Sequence, residues 1–199
     1  VYFAREGGGI MAGADPHQVI VELLSAPSIV ESDTPAGGVV GWRTRISSGG
    51  MDARPETFRF VKAREIPERQ VHAVTYETVN GSRQTMVCSV RQSAGGGWEF
   101  VGGAGGGDGG DGNGPPTSQP KANLGGGGWP RAFYAGGRVE GGPDVARVAL
   151  TAANGAVLDD TVEDGVVLFL TDDEVRPPLH VTLYDGSGNV IGQQEIWKS

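Results

Sequence analysis

Cysteine is all but missing from this chain of 199 residues: Cys88 stands alone, so no disulfide within the chain can staple the fold. Lysine is scarce too, with only Lys62, Lys121 and Lys198 among 16 basic residues. Acidic residues number 24, and the net charge is -8. A clustered basic surface, on which nucleic-acid binding rests, is therefore lacking. The negative excess also repels phosphate backbones and anionic lipid. No apolar run approaches the roughly 18 residues of a membrane-crossing helix, so neither nucleic acid nor membrane insertion is expected. Val1 to Ile10 lacks the charged-then-apolar layout of a secretory signal, which points to a cytoplasmic protein.

Catalytic grammar is missing as well. The three histidines, His17, His72 and His180, have no partner histidine at i+4, and no H-E-x-x-H occurs. There is no G-x-S-x-G elbow, and no glycine run leads into Gly-Lys-Ser/Thr. Gly105 to Gly110 matches G-x-G-x-x-G, but so glycine-rich a run yields that match by chance. No helix pattern follows it, and Asp108 within it would repel phosphate. The expectation is a chain that is not an enzyme and holds no cofactor.

What is abundant is glycine, 35 of 199 residues, about 18 % against a usual ~7 %. The clearest helix signal runs from Asp15 to Ala26. Asp15 suits the cap and Pro16 the first helical position, while Val19, Ile20, Leu23 and Leu24 share one face. The period then becomes two. Strands are expected over Val39 to Ser47, Thr57 to Arg64, both arms of Gln70 to Gln92, and Trp98 to Val101. A two-residue turn at Asn80-Gly81 would put Thr75 opposite Met86, Ala73 opposite Cys88 and Val71 opposite Val90 on one apolar face. His72, Val74 and Tyr76 would then face the other way, with His72 and His180 in solvent. Cys88 reads as a small buried hydrophobe.

Gly102 to Gly128 holds almost no apolar residue and reads as a flexible linker. Its Asp108, Asp111 and Asn113 are weak candidates for calcium, which wants several oxygens at short intervals. Trp129, Phe133 and Tyr134 follow and re-anchor the chain. Beyond Arg138 the pattern is all β. A hairpin is expected at Asn154-Gly155, Val166 to Leu170 reads as a central apolar strand, and Leu179, Val181 and Leu183 point inward.

Gly137 to Leu170, GRVEGGPDVARVALTAANGAVLDDTVEDGVVLFL, resembles a β-rich domain of uncharacterised proteins from high-GC bacteria. That resemblance implies an immunoglobulin-like or sandwich module and carries over no functional residue.

The fold class expected is mostly β (α+β). Residues 1–14 form an N-terminal extension and 15–101 a helix on an antiparallel meander. A Gly-rich linker spans 102–128, and 129–199 form a small β-sandwich that docks on the first half because a unit that small is marginal alone. The expected function is a non-catalytic interaction or structural module with a protein partner, a second copy of itself included. Its contact candidates are Trp98, Trp129, Phe133, Tyr134, Phe58 and Phe60. The rival from another class is a ligand-binding β domain with an apolar pocket under the helix. A weaker third is an acidic module stabilised by calcium.

Overall fold

A computed structural model describes residues 2–3, 12–13, 15–27, 51–107, 119–128, 132–140 and 144–197. The strand expected over Val39 to Ser47 lies outside them, as do Trp129, Asp108, Asp111 and Asn113. The protein is mostly β, with one helix and antiparallel sheets.

Helix α1 is Pro16–Ser25. Asp15 caps it as its sequence predicts, its carboxylate accepting the His17 N–H at 2.9 Å. Val19, Ile20 and Leu24 are its buried face. They lie on the first sheet, built from β1 (Tyr2–Phe3), β2 (Ala12–Gly13), β3 (Arg59–Ile66), β4 (Arg69–Glu77), β5 (Arg83–Gln92) and β6 (Trp98–Gly107). Its order is β1-β6-β5-β4-β3, with β2 also paired to β6.

The middle sheet has the order β11-β8-β7, from β7 (Lys121–Gly127), β8 (Phe133–Glu140) and β11 (Val166–Thr171). The last sheet runs β10-β9-β12-β13, from β9 (Arg147–Ala152), β10 (Val157–Thr161), β12 (Leu179–Tyr184) and β13 (Val190–Ile196). Side chains join these layers in turn. Phe133, Val167 and Phe169 of the middle sheet pack on Val148, Leu150, Val181 and Leu183 of the last. Tyr134, Val166 and Leu168, from the opposite face of the same strands, pack on Val71, Ala73 and Val87 of the first. The order is therefore helix, sheet, sheet, sheet. Strands β8 and β11 of the middle sheet are covered on both faces, which is why Val166 to Leu170 is apolar without alternation. Expected as a central strand, it is instead an edge of its sheet, covered by the layers on either side.

Two expectations change. The Asn80-Gly81 turn has a three-residue loop rather than two. Gly81 N–H donates to Thr78 C=O and Thr78 N–H to Ser82 C=O, and Gly81 alone takes a positive φ, of 78°. A two-residue turn of the expected type needs positive φ at Asn80 too. The extra residue slips the register by one. Val74 lies opposite Met86, His72 opposite Cys88 and Ala73 opposite Val87. Met86, Cys88 and Val90 thus share the helix face with Val74 and Tyr76, and one slip has reversed the assignment of one arm. The loops ending at Gly96, Gly155 and Gly188 repeat the same bonding.

The second change concerns the expected linker, both ends of which are strands. Gly102 to Gly107 continues β6 along β5, and Lys121 to Gly127 is β7. Composition hides them because neither brings much side chain to a core. They bring backbone where two layers come close. A methyl built on Gly125 would stand 2.7 Å from the Ala104 Cβ, and one on Gly136 2.9 Å from a Val87 methyl. Glycine there sets the spacing of the first two sheets.

Candidate functional site

The space under α1 is filled. Val19, Ile20 and Leu24 meet Val74, Tyr76, Met86, Cys88 and Val90, with Phe58, Phe60, Trp98 and Phe100 packed around them. Tyr76 stacks on Phe58 at 5.1 Å between ring centroids, and His17 stacks on Phe60 at 4.0 Å. His72, expected in solvent, is buried edge-on to His17 because both faces of β4 are covered. Its Nε2 meets the Gln70 carboxamide at 3.1 Å. Burial drives the His72 pKa down to about 4, the His17 charge adds to that fall, and Asp15 opposes it. Burial also pushes the Cys88 thiol and the Tyr76 hydroxyl well above their usual ranges, so the sulfur stays a thiol. These groups are held in the protonation states of core residues.

Of the contact candidates, Phe58, Phe60 and Trp98 are half-buried around that core, and none forms an exposed platform. Phe133 and Tyr134 are buried outright, on the two faces of β8. Neither is an outward anchor, since alternation in a strand covered on both faces sends each into a core. His180 is exposed on the outer face of the last sheet, as expected.

The opening lies elsewhere, at the seam of the first two sheets where β7 forms an edge. A cleft of about 420 Å3 is walled by Ala104, Gly105, Ala122, Gly125, Gly136 and Gln194 among others. Arg138, Glu140 and Asn123 line it as well. Glu140 is engaged, pairing with Lys121 at 3.0 Å and accepting from the Asn123 amide at 2.6 Å. Thr85, 4 % exposed, lines the cleft with a hydroxyl that has no hydrogen-bond partner among the described residues. It stands on the face of β5 that carries Val87, hence toward the middle sheet. A buried hydroxyl without a partner costs free energy, on the order of 1–3 kcal/mol. Gln194 reaches across from β13, its Oε1 accepting from Ala122 N–H at 3.0 Å and its Nε2 donating to Ala122 C=O at 2.5 Å.

Thr85 and Gln194 carry no sequence signal: each stands in a short polar run, Arg83-Gln84-Thr85 and Gln193-Gln194-Glu195, that marks out no chemistry. Only the hidden strand β7 gives them a role.

Comparison with known proteins finds no matching family model, no similar curated protein and no similar solved structure.

Proposed function

We propose that the chain is a non-catalytic protein-interaction module and that its contact site is the cleft beside β7. The observation that carries this reading is the Thr85 hydroxyl, buried with no hydrogen-bond partner among the described residues in a cleft whose wall is rich in glycine and alanine. Such a wall offers amide and carbonyl groups and close approach. Of its charged lining residues, Glu140 is engaged by Lys121 and Asn123. The two sheets behind it, of three and four strands, support the immunoglobulin-like reading of Gly137 to Leu170. A second reading, a compact polar small molecule, is favoured by the same hydroxyl and by a volume within the usual range of ligand pockets.

The test is selection of a displayed random-peptide library on the folded protein, followed by nuclear magnetic resonance mapping of the enriched peptides. Shifts centred on Thr85, Ala122 to Gly125 and Gln194 are expected. Enriched peptides that map elsewhere overturn the site. A cleft that takes small polar compounds and no peptide supports the second reading.

A further inference from the structure

We infer that β7 takes its partner as an added β-strand, and that the Gln194 carboxamide holds that strand's place while the edge is free. The inference rests on the reading of the cleft as a protein site and names how the partner is held. In the middle sheet β8 pairs with one side of β7, and no described strand pairs with the other. Both backbone groups of Ala122 turn to that open side, where they meet Gln194. In an antiparallel pair the outward-facing residues recur every second position. Leu124 and Gly126 therefore turn their N–H and C=O to the same open side as Ala122, and Leu124 lines the cleft with it. One residue of a neighbouring strand offers a C=O and an N–H to such a position. The Gln194 carboxamide offers the same pair, so the edge already accepts a peptide-like group.

The occupant is an extended segment of a partner polypeptide. The edge is recessed, with β6 of the first sheet on one side and β13 of the last on the other. The folded edge of a second copy would bring its own flanking layers and clash with these. A lone strand continues the middle layer, its side chains alternating between the Ala104–Gly105 wall and Ile196. Toward the first sheet the side chains must be small or hydroxyl-bearing, because the Thr85 hydroxyl has no partner there among the described residues and the layers come close where Gly125 meets Ala104. Backbone bonds supply affinity in this mode and the alternate side chains supply selectivity.

The test uses the enriched peptides and the full chain. N-methylation at alternate peptide positions should weaken binding by about tenfold for each lost bond and leave the positions between them untouched. Bound peptide should slow amide exchange at Leu124. Gln194→Met keeps the side-chain length and removes the amide, and it should tighten binding several-fold because no carboxamide bonds have to be broken first. Peptides that occupy the cleft but tolerate N-methylation throughout overturn strand addition and leave the interaction site standing. Unchanged affinity in Gln194→Met overturns the placeholder. Peptides that bind only outside the cleft overturn both the site and the inference.

Discussion

The two edges of the middle sheet are treated alike and yet differently. At each, a side chain from the last sheet stands where a neighbouring strand would be. On the β11 edge the Asp160 carboxylate accepts the Leu168 N–H at 2.7 Å. It also takes Lys62 at 2.7 Å and Arg64 at 2.6 Å, both from β3 of the first sheet. Lys62 comes within reach because a bulge at Val61 resets the alternation of β3. Asp160 and Lys62 keep only 2 % and 3 % of their side chains exposed. On the β7 edge a neutral carboxamide makes two bonds, half-buried beside an open cleft. The first edge ties three sheets with buried charge, where loss of one partner strands another. The second is held by bonds that water can replace. One edge is locked, and the other can open.

Asp160→Ala is the severest way to break that contrast. It leaves Lys62 buried without its counter-ion and Leu168 N–H without an acceptor, and stability should fall by about 3–5 kcal/mol. Guanidinium denaturation reads this directly. A loss below ~1 kcal/mol would put both edges in one class.

Gly136→Ala acts between the edges, on the seam itself. The new methyl would stand 2.6 Å from the Val167 carbonyl oxygen and 2.9 Å from a Val87 methyl, both parts of packed strands. Overpacking of this kind costs roughly 1–3 kcal/mol. Since the seam ends in the cleft, the variant should also weaken any cleft ligand. A variant as stable as the parent would show that the sheets slide apart freely and that glycine does not set their spacing.

How much of this was legible in the sequence depends on what each element buries. Helix α1 was, because Asp15, Pro16 and a stripe of aliphatic residues report both its ends and its face. The inward set Leu179, Val181 and Leu183 was, and so was the burial of Val166 to Leu170, because both carry it in their side chains. The central place expected of Val166 to Leu170 was not, since that strand is an edge of its sheet, closed by Asp160 rather than by a strand. Strand β7 was not. Lys121 to Gly127 contains three consecutive glycines and signals its place only through backbone bonds to β8. The hairpin register failed for a related reason: Asn-Gly permits two turns, and side chains packed from both sides made the choice. Most of the fold could thus be read, while the candidate site, which depends on the glycine-rich strand β7, could not.

Acid should separate the helix layer from both edges. With a folded-state pKa of about 4, His72 stays neutral in the native protein, whereas in the unfolded chain it protonates near 6.5. The unfolded state then binds more protons between those values, so stability falls as pH drops through that window. By pH 5 the loss is on the order of 2 kcal/mol. The measurement is the change in urea midpoint from pH 7 to pH 5, set against the same change in His72→Leu, where this contribution is absent. Equal changes in the two proteins would refute it. Amide exchange at Leu168 and Ala122 should keep its ranking throughout, because neither edge depends on His72.

Gln194→Met is the mildest change and bears most closely on the comparison. Methionine keeps the length of the side chain and its packing beside Ile196, so only the two bonds to Ala122 are lost. Both Ala122 groups then face an open cleft and can bond to water, so neither is left buried and unpaired. The cost should be about 1 kcal/mol or less, well below that of Asp160→Ala. Amide exchange should quicken at Ala122 and stay unchanged at Leu168, which lies on the far edge of the same sheet. If Leu168 quickens too, the edges are coupled through β8 and the sheet opens as a unit. If Ala122 stays protected, something other than the carboxamide closes β7, and the two edges are locked alike.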